Sequence, residues 1–123
     1  MDRTQAPALS TITAIDFVAP EIYPINERVN LYHMPHVAND TARFDLYFDA
    51  GKMRSKQSLS SFVNGLLFSG TKDQTSVEIN SAINRLGGFL DTGLSSENAV
   101  ISMYCLKENL PELFDIILDA IKW

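Results

Sequence analysis

The chain has 123 residues, carries a net charge of −5 and is 46% hydrophobic, a composition typical of one globular domain with a modest core. It has no run of Lys or Arg, so binding to nucleic-acid phosphates is not expected, and no segment approaches the ~20 apolar residues of a membrane span. Cys105 is the only cysteine, which excludes an intrachain disulfide and a cysteine zinc cage and predicts a buried, inert thiol.

Residues 1–27 are predicted to form an extended arm, because Pro7, Pro20 and Pro24 interrupt any regular pattern. A short strand is expected around residues 12–17. The arm lacks the basic start and apolar run of a signal peptide, which slightly favours the cytoplasm and leaves the compartment open. Residues 28–123 are interpreted as part of one domain.

Two strands and a helix are predicted next. Residues 28–34 alternate and precede Pro35, which favours a strand and a turn, and residues 43–49 alternate as a half-buried strand. The segment SLSSFVNGLLFSGT has helical spacing. Its apolar stripe, expected to face the core, consists of Leu59, Phe62, Val63, Leu66 and Leu67. Its other face carries Ser60, Ser61, Asn64 and Gly65.

The second half of the chain predicts a helix, a hairpin and a helix. Thr75 and Glu78 are spaced as a capping box that begins the first of these helices, and Gly87 with Gly88 ends it. FLDTGLSS and NAVISMYCL predict two strands joined by a turn at residues 95–98. Asn109 and Glu112 predict a capping box for a last helix, whose periodicity still runs at the end of the sequence. This order predicts an α+β fold, a mainly antiparallel sheet with helices packed on one face, and a truncated domain.

The candidate chemical groups do not by themselves indicate an enzyme. His33 and His36 have a spacing that could hold a metal on a helix, but Pro35 lies between them, so they are interpreted as surface or turn residues. Asp45 and Asp49 are interpreted as outward positions of an amphipathic strand rather than as a catalytic pair.

The order of these segments is informative. FDLYFDAG, SLSSFVNGLLFSGT and TSVEINSAINRLGGFLDTGLSSENAVISMYCLKENLPELFDIILDAI together resemble the insulinase, pitrilysin and processing-peptidase family of zinc metallopeptidases. In that family a strand ending in Ala-Gly leads to a helix that bears H-x-x-E-H. The motif is followed directly by an apolar pair, Phe, a variable residue and Gly-Thr. A helix ending in Leu-Gly-Gly and a further strand follow. The resemblance covers about residues 43–121.

The resemblance implies that the chemistry of this helix has been lost. The family motif would fall on residues 61–65, with Ser61 and Gly65 in place of the two His and Asn64 in place of the Glu. In such a motif the imidazoles bind zinc and the Glu takes a proton from the zinc-bound water. A further family ligand, a Glu from a later helix, would lie beyond the end of this sequence. We therefore expect no zinc cofactor and no peptidase activity, as in a degenerate, inactive member.

Family resemblance also implies a role for such a member. Active and degenerate halves or subunits pair around a chamber, so we expect a homologous active partner, and the chamber implies peptide as a second ligand. The peptide-binding edge strand would comprise Phe89, Leu90, Asp91, Thr92 and Gly93. Asp91 and Thr92 stand where Asn and Ala are usual, and an ordinary sheet edge is the alternative interpretation.

Two other functions remain open at this stage. The first is a purely structural subunit that stabilises a complex. The second, which the missing motif disfavours, is a zinc peptidase that draws its ligands from elsewhere, including His33 and His36.

Overall fold

A computed structural model describes residues 14–15, 17–34, 39–54 and 59–122. The chain divides into two compact units, one up to residue 38 and one from residue 39 onward, which are described separately. The boundary expected after residue 27 stays a prediction. Within the described ranges, no helix combines the length and the apolar content needed to cross a bilayer.

The first unit contains an antiparallel strand pair, β1 (Glu21–Pro24) and β2 (Asn30–His33). The turn between them is held by the side chain of Asn26, whose Oδ1 accepts from the backbone N–H groups of Arg28 and Val29 at 2.9 and 3.0 Å. The expected strand after residue 27 is confirmed as β2. Its partner β1 lies within the expected arm, whereas residues 14, 15 and 17 have no regular structure and the rest of the strand expected at 12–17 lies outside the described residues.

The second unit is built on a three-stranded antiparallel sheet of β3 (Thr41–Phe48), β4 (Phe89–Leu94) and β5 (Ala99–Leu106), in the order β3-β5-β4. Its helices are α1 (Leu59–Leu66), α2 (Ser76–Arg85) and α3 (Leu110–Ile121). Short 3-10 turns occupy Lys52–Arg54 and Lys107–Asn109. The α+β prediction with a mainly antiparallel sheet is confirmed.

The core of this unit lies between α2, α3 and one face of the sheet. Its buried members are Ile79, Ile83, Leu86, Ile101, Met103, Cys105, Leu113 and Ile117. The apolar side chains of β3 pack against this cluster as their alternation predicts, and Phe44 meets Phe114 edge to face at 5.2 Å between ring centroids. Cys105 is buried as expected, and burial raises the pKa of its thiol.

One of the two predicted capping boxes forms. Glu78 Oε2 accepts from the backbone N–H of Thr75 at 2.7 Å, and Thr75 Oγ1 accepts from the backbone N–H of Glu78 at 3.4 Å, which fixes the start of α2. The box predicted at Asn109 is wrong. Its side chain instead donates to the backbone carbonyl of Leu86 at 2.9 Å, because α3 begins beside the end of α2.

The start of the connection from β3 to α1, at Gly51 and Lys52, is hydrogen-bonded to the turn of the β4–β5 hairpin. Ser95 donates its backbone N–H to the carbonyl of Asn98 at 2.8 Å, which confirms the predicted turn at 95–98. Gly51 donates to the carbonyl of Glu97 at 2.9 Å, and Lys52 donates to the carbonyl of Ser95 at 3.0 Å. These bonds bring the approach to α1 against the hairpin that contains β4.

Candidate functional site

Helix α1 presents the three positions at which the sequence predicts a lost zinc motif. Ser61 and Gly65 are exposed and Asn64 is half-buried. A Cβ built on Gly65 would meet no heavy atom within 4 Å, so the position has room for a side chain that this chain lacks. The helix lies against β4, so the three positions belong to the same region as the predicted peptide-binding strand.

The apolar stripe of α1 does not face the core. Leu59, Phe62, Val63 and Leu66 are 57%, 66%, 57% and 62% exposed, and only Leu67, just past the helix, packs against the buried cluster. The expectation of a core-facing stripe is therefore wrong for this chain. Helical spacing fixes which side chains share a face, but it does not fix which face neighbouring elements cover.

The donor groups at the motif positions do not fit zinc. Protein zinc sites use imidazole, thiolate and carboxylate ligands, whereas Ser61 offers a neutral hydroxyl, Asn64 an amide and Gly65 no side chain. Among the residues that the structure describes, no group of three or more His, Cys, Asp or Glu side chains is placed to hold a metal ion.

The other sequence candidates lie outside α1 in the chain. His33 is on β2, about half exposed, with its Nδ1 3.6 Å from Glu21 Oε2, and His36 lies outside the described residues. Asp45 forms an ion pair with Arg43, with 3.1 Å between Oδ2 and Nε, and Asp49 forms one with Arg54, with 2.9 Å between Oδ1 and Nε. Each of these carboxylates has its own cation, which agrees with the interpretation of Asp45 as an outward position of β3, whereas Asp49 lies one residue past the end of that strand.

Strand β4 lies at an edge of the sheet, and within the described part of the chain it pairs only with β5. The hydrogen bond from the N–H of Ser95 to the carbonyl of Asn98 determines which residues of β4 are hydrogen-bonded to β5. Along a strand, the backbone groups of successive residues point alternately to its two sides, so every second residue has the same direction as Ser95. The backbone N–H and C=O groups of Phe89, Asp91 and Gly93 therefore point toward β5. The backbone N–H and C=O of Leu90 and Thr92 are turned toward the free edge.

One of these free-edge groups already has a partner. Asp91 Oδ1 accepts from the backbone N–H of Thr92 at 2.9 Å. The carboxylate of Asp91 is exposed, and it makes no ion pair with a described Lys, Arg or His. The sequence predicts Asp91 as an edge residue but gives no sign of this bond, which depends on the phase of the ladder.

A row of side chains crosses the outer face of the sheet beside this edge. Phe89 lies 6.0 Å from Tyr104 between ring centroids, and the guanidinium of Arg43 lies 5.1 Å from the centroid of Tyr104. Hydrogen bonding to Asp45, followed by its charge, raises the pKa of Arg43. Sequence reasoning missed this row, although strand alternation together with the β3–β5–β4 register would have found it.

Comparisons with known proteins bear on the whole of this unit. A family model described as insulinase, peptidase family M16, matches residues 33–122. A crystal structure of a peptidase M16 inactive domain from Pseudomonas fluorescens matches with a TM-score of 0.75 and 15% sequence identity. That match covers 83% of this chain but only 26% of the chain in the crystal structure, so this chain spans about a quarter of that length. A search of curated proteins found no significant match.

Proposed function

This chain belongs to the insulinase family, peptidase family M16, and we propose that it is a non-catalytic domain of that family. In this proposal it pairs with a homologous zinc-bearing chain or domain and helps to bind extended peptide. The observation that carries the proposal is the side-chain chemistry of Ser61, Asn64 and Gly65 on α1, beside the edge strand β4.

The proposed loss of catalysis rests on that chemistry. An amide has no useful basicity, so Asn64 cannot take a proton from water as a carboxylate would. Gly65 has no ligand to offer, although the space around its Cα would admit one. The helix keeps its geometry without the groups that the family chemistry requires.

The free edge of β4 supports the peptide-binding part of the proposal. An edge strand offers unpaired backbone groups, and an extended peptide that adds to it gains main-chain hydrogen bonds. Leu90 and Thr92 direct their backbone N–H and C=O groups toward the free edge, and α1 lies beside the same strand.

The exposed stripe of α1 supports the pairing part. Four large apolar side chains in one row are unusual on the surface of a monomer and are typical of a surface that contacts other polypeptide. The related crystal structure contains about three quarters of its length outside the matched region, so both a partner chain and further polypeptide of the same protein are compatible with this role.

The first experiment tests the absence of catalysis. The intact protein is purified, its zinc content is measured by mass spectrometry, and hydrolysis of a library of quenched fluorescent peptides is followed. We expect substoichiometric zinc and no hydrolysis once any intact H-x-x-E-H elsewhere in the same polypeptide has been disabled by His→Ala substitution. One zinc per chain together with turnover would overturn the proposal and would revive the alternative of relocated ligands.

The second experiment tests peptide binding at β4. Thr92→Pro removes an N–H that points to the free edge, and proline is tolerated on edge strands in that position. We expect this variant to keep its far-UV circular dichroism spectrum and to lose affinity for a labelled extended peptide. Unchanged affinity would place peptide binding elsewhere.

The third experiment tests pairing. The intact protein is captured from its native cells, and retained chains are identified by mass spectrometry. A homologous chain with an intact H-x-x-E-H is the expected partner, unless such a motif lies in the same polypeptide. If neither is found, the pairing proposal fails.

A purely structural role is the second candidate, and the Asp91 bond favours it. Asp91 already satisfies the backbone N–H of Thr92 that a peptide strand would use. Failure of all extended peptides to bind the intact protein would support the structural role.

A further inference from the structure

The free edge of β4 carries its own competitor for an added strand. A peptide adding to this edge would place a carbonyl oxygen against the N–H of Thr92. Asp91 Oδ1 occupies that position, accepting from the same N–H at 2.9 Å. A peptide must therefore displace the carboxylate before it can complete the ladder.

The charge of Asp91 determines which peptide can do so. Asp45, on the same row across β5, is paired with Arg43 at 3.1 Å, but Asp91 has no such cation among the described residues. A Lys or Arg side chain opposite Asp91 would offer the carboxylate a charge-assisted hydrogen bond, which is stronger than a bond to a neutral amide. Such a residue would draw the carboxylate away from Thr92 and leave the backbone N–H of Thr92 free to bond to the peptide.

We propose that Asp91 makes the β4 edge selective for extended peptides that place a basic residue opposite it. This inference rests on the proposed peptide binding. A neutral peptide displaces the carboxylate without offering it a charged partner, and an acidic one is repelled by it. The net charge of −5 favours the same class of peptide at longer range.

Phe89 adds a second determinant on the same face. It is two residues before Asp91, 62% exposed, and supported from the β5 side by Tyr104. Cross-strand neighbours on one face lie about 5 Å apart, so an added strand would also place a side chain beside Phe89. In an antiparallel strand, that side chain is two residues after the basic one. The preferred peptide therefore reads basic, any residue, apolar.

The test uses fluorescence anisotropy with the intact protein and three labelled eight-residue peptides. They are identical except for Lys, Gln or Glu at one position, two residues before a Val. We expect the Lys peptide to bind tightest and the Glu peptide weakest, with up to about fivefold in affinity between successive peptides.

Three variants separate the local pairing from the general charge. Asp91→Ala should bind the Gln peptide more tightly than the native protein does and should lose most of the preference for Lys, keeping only the part that the net charge supplies at longer range. Asp91→Lys should reverse the order of the three peptides. Asp115→Lys changes the net charge by as much as Asp91→Lys does, at an exposed position on α3, and should leave the order unchanged.

The outcomes distinguish this inference from the function on which it rests. Binding of all three peptides with equal affinity, or an order that Asp91→Ala and Asp91→Lys leave intact, overturns the role of Asp91 and leaves peptide binding standing. An equal effect of Asp115→Lys also overturns it. Absence of binding by every peptide to every variant overturns both proposals.

Discussion

Asn109 donates its side-chain amide to the backbone carbonyl of Leu86 at 2.9 Å and thereby joins the start of α3 to the end of α2. The bond spans 23 positions of sequence and is partly buried. It fixes the relative position of the two helices that cover the core face of the sheet. This makes Asn109 a tertiary link between helices rather than the local cap that its sequence context predicts.

Replacing Asn109 by Ala should therefore destabilise the fold. The substitution leaves the carbonyl of Leu86 without this donor, and the loss of a partly buried hydrogen bond costs about 1 kcal/mol. The free energy of unfolding is measured by urea titration. Asn84→Ala is the matched control, since Asn84 is exposed on α2, and it should change the free energy by less than about 0.5 kcal/mol. Equal effects of the two variants would contradict the assigned role of Asn109.

Two glycines should respond in opposite directions to the addition of one methyl group. A Cβ on Gly51 would lie 2.2 Å from the backbone carbonyl carbon of Glu97, so Gly51→Ala must push the β4–β5 turn away. This substitution should lower the free energy of unfolding by about 1–3 kcal/mol. A Cβ on Gly65 meets nothing within 4 Å, so Gly65→Ala should stabilise the chain by about 0.5–1 kcal/mol through helix propensity.

Thermal denaturation of both glycine variants checks this contrast. A fall in melting temperature for Gly65→Ala would show that the space beside α1 is filled in solution. A tolerated Gly51→Ala would contradict the close approach of the β3–α1 connection to the hairpin turn.

Acid should weaken the start of α2 through Glu78. The backbone N–H of Thr75, followed by its hydroxyl, holds the pKa of the Glu78 carboxyl below its usual value. Because the folded-state pKa is the lower one, this contribution to stability is present above the unfolded-state pKa of about 4.3 and is lost as pH falls through the folded-state value. Glu78→Gln should make the urea midpoint less dependent on pH between about 5 and 3. An unchanged dependence would mean that the bonds to Thr75 do not persist in solution.

The local elements could be predicted from the sequence because short-range chemistry determines them. The capping box at Thr75, the turn at Ser95 and the alternation of β3 all depend on residues within a few positions of one another. The predictions that failed required long-range information. Asn109 has the spacing of a cap but finds its partner, Leu86, at the end of α2. Strand β1 follows Pro20 and ends at Pro24, and it forms because β2 supplies the ladder.

Some features of the candidate site could likewise be predicted from local sequence, whereas others depend on the assembled sheet. The positions of Ser61, Asn64 and Gly65 on a helix follow from periodicity, and β4 is recognisable as a strand from its own residues. The bond from Asp91 to Thr92 and the row from Phe89 to Arg43 depend on register and ladder phase, which only the assembled sheet determines. The specific chemistry of the edge was therefore beyond sequence reasoning.

Apolar side chains in the core and on α1 should differ sharply when truncated. Leu113 is fully buried, so Leu113→Ala should cost about 2–5 kcal/mol through lost burial and the cavity left behind. Phe62 is 66% exposed, so Phe62→Ala should change the free energy of unfolding of this chain by less than about 0.5 kcal/mol, despite removing a larger side chain. Urea titration of the 123-residue chain measures both. A large loss for Phe62→Ala in a monomeric sample would mean that the apolar stripe of α1 packs against this chain after all. A loss that grows with protein concentration would instead identify the stripe as a contact between copies.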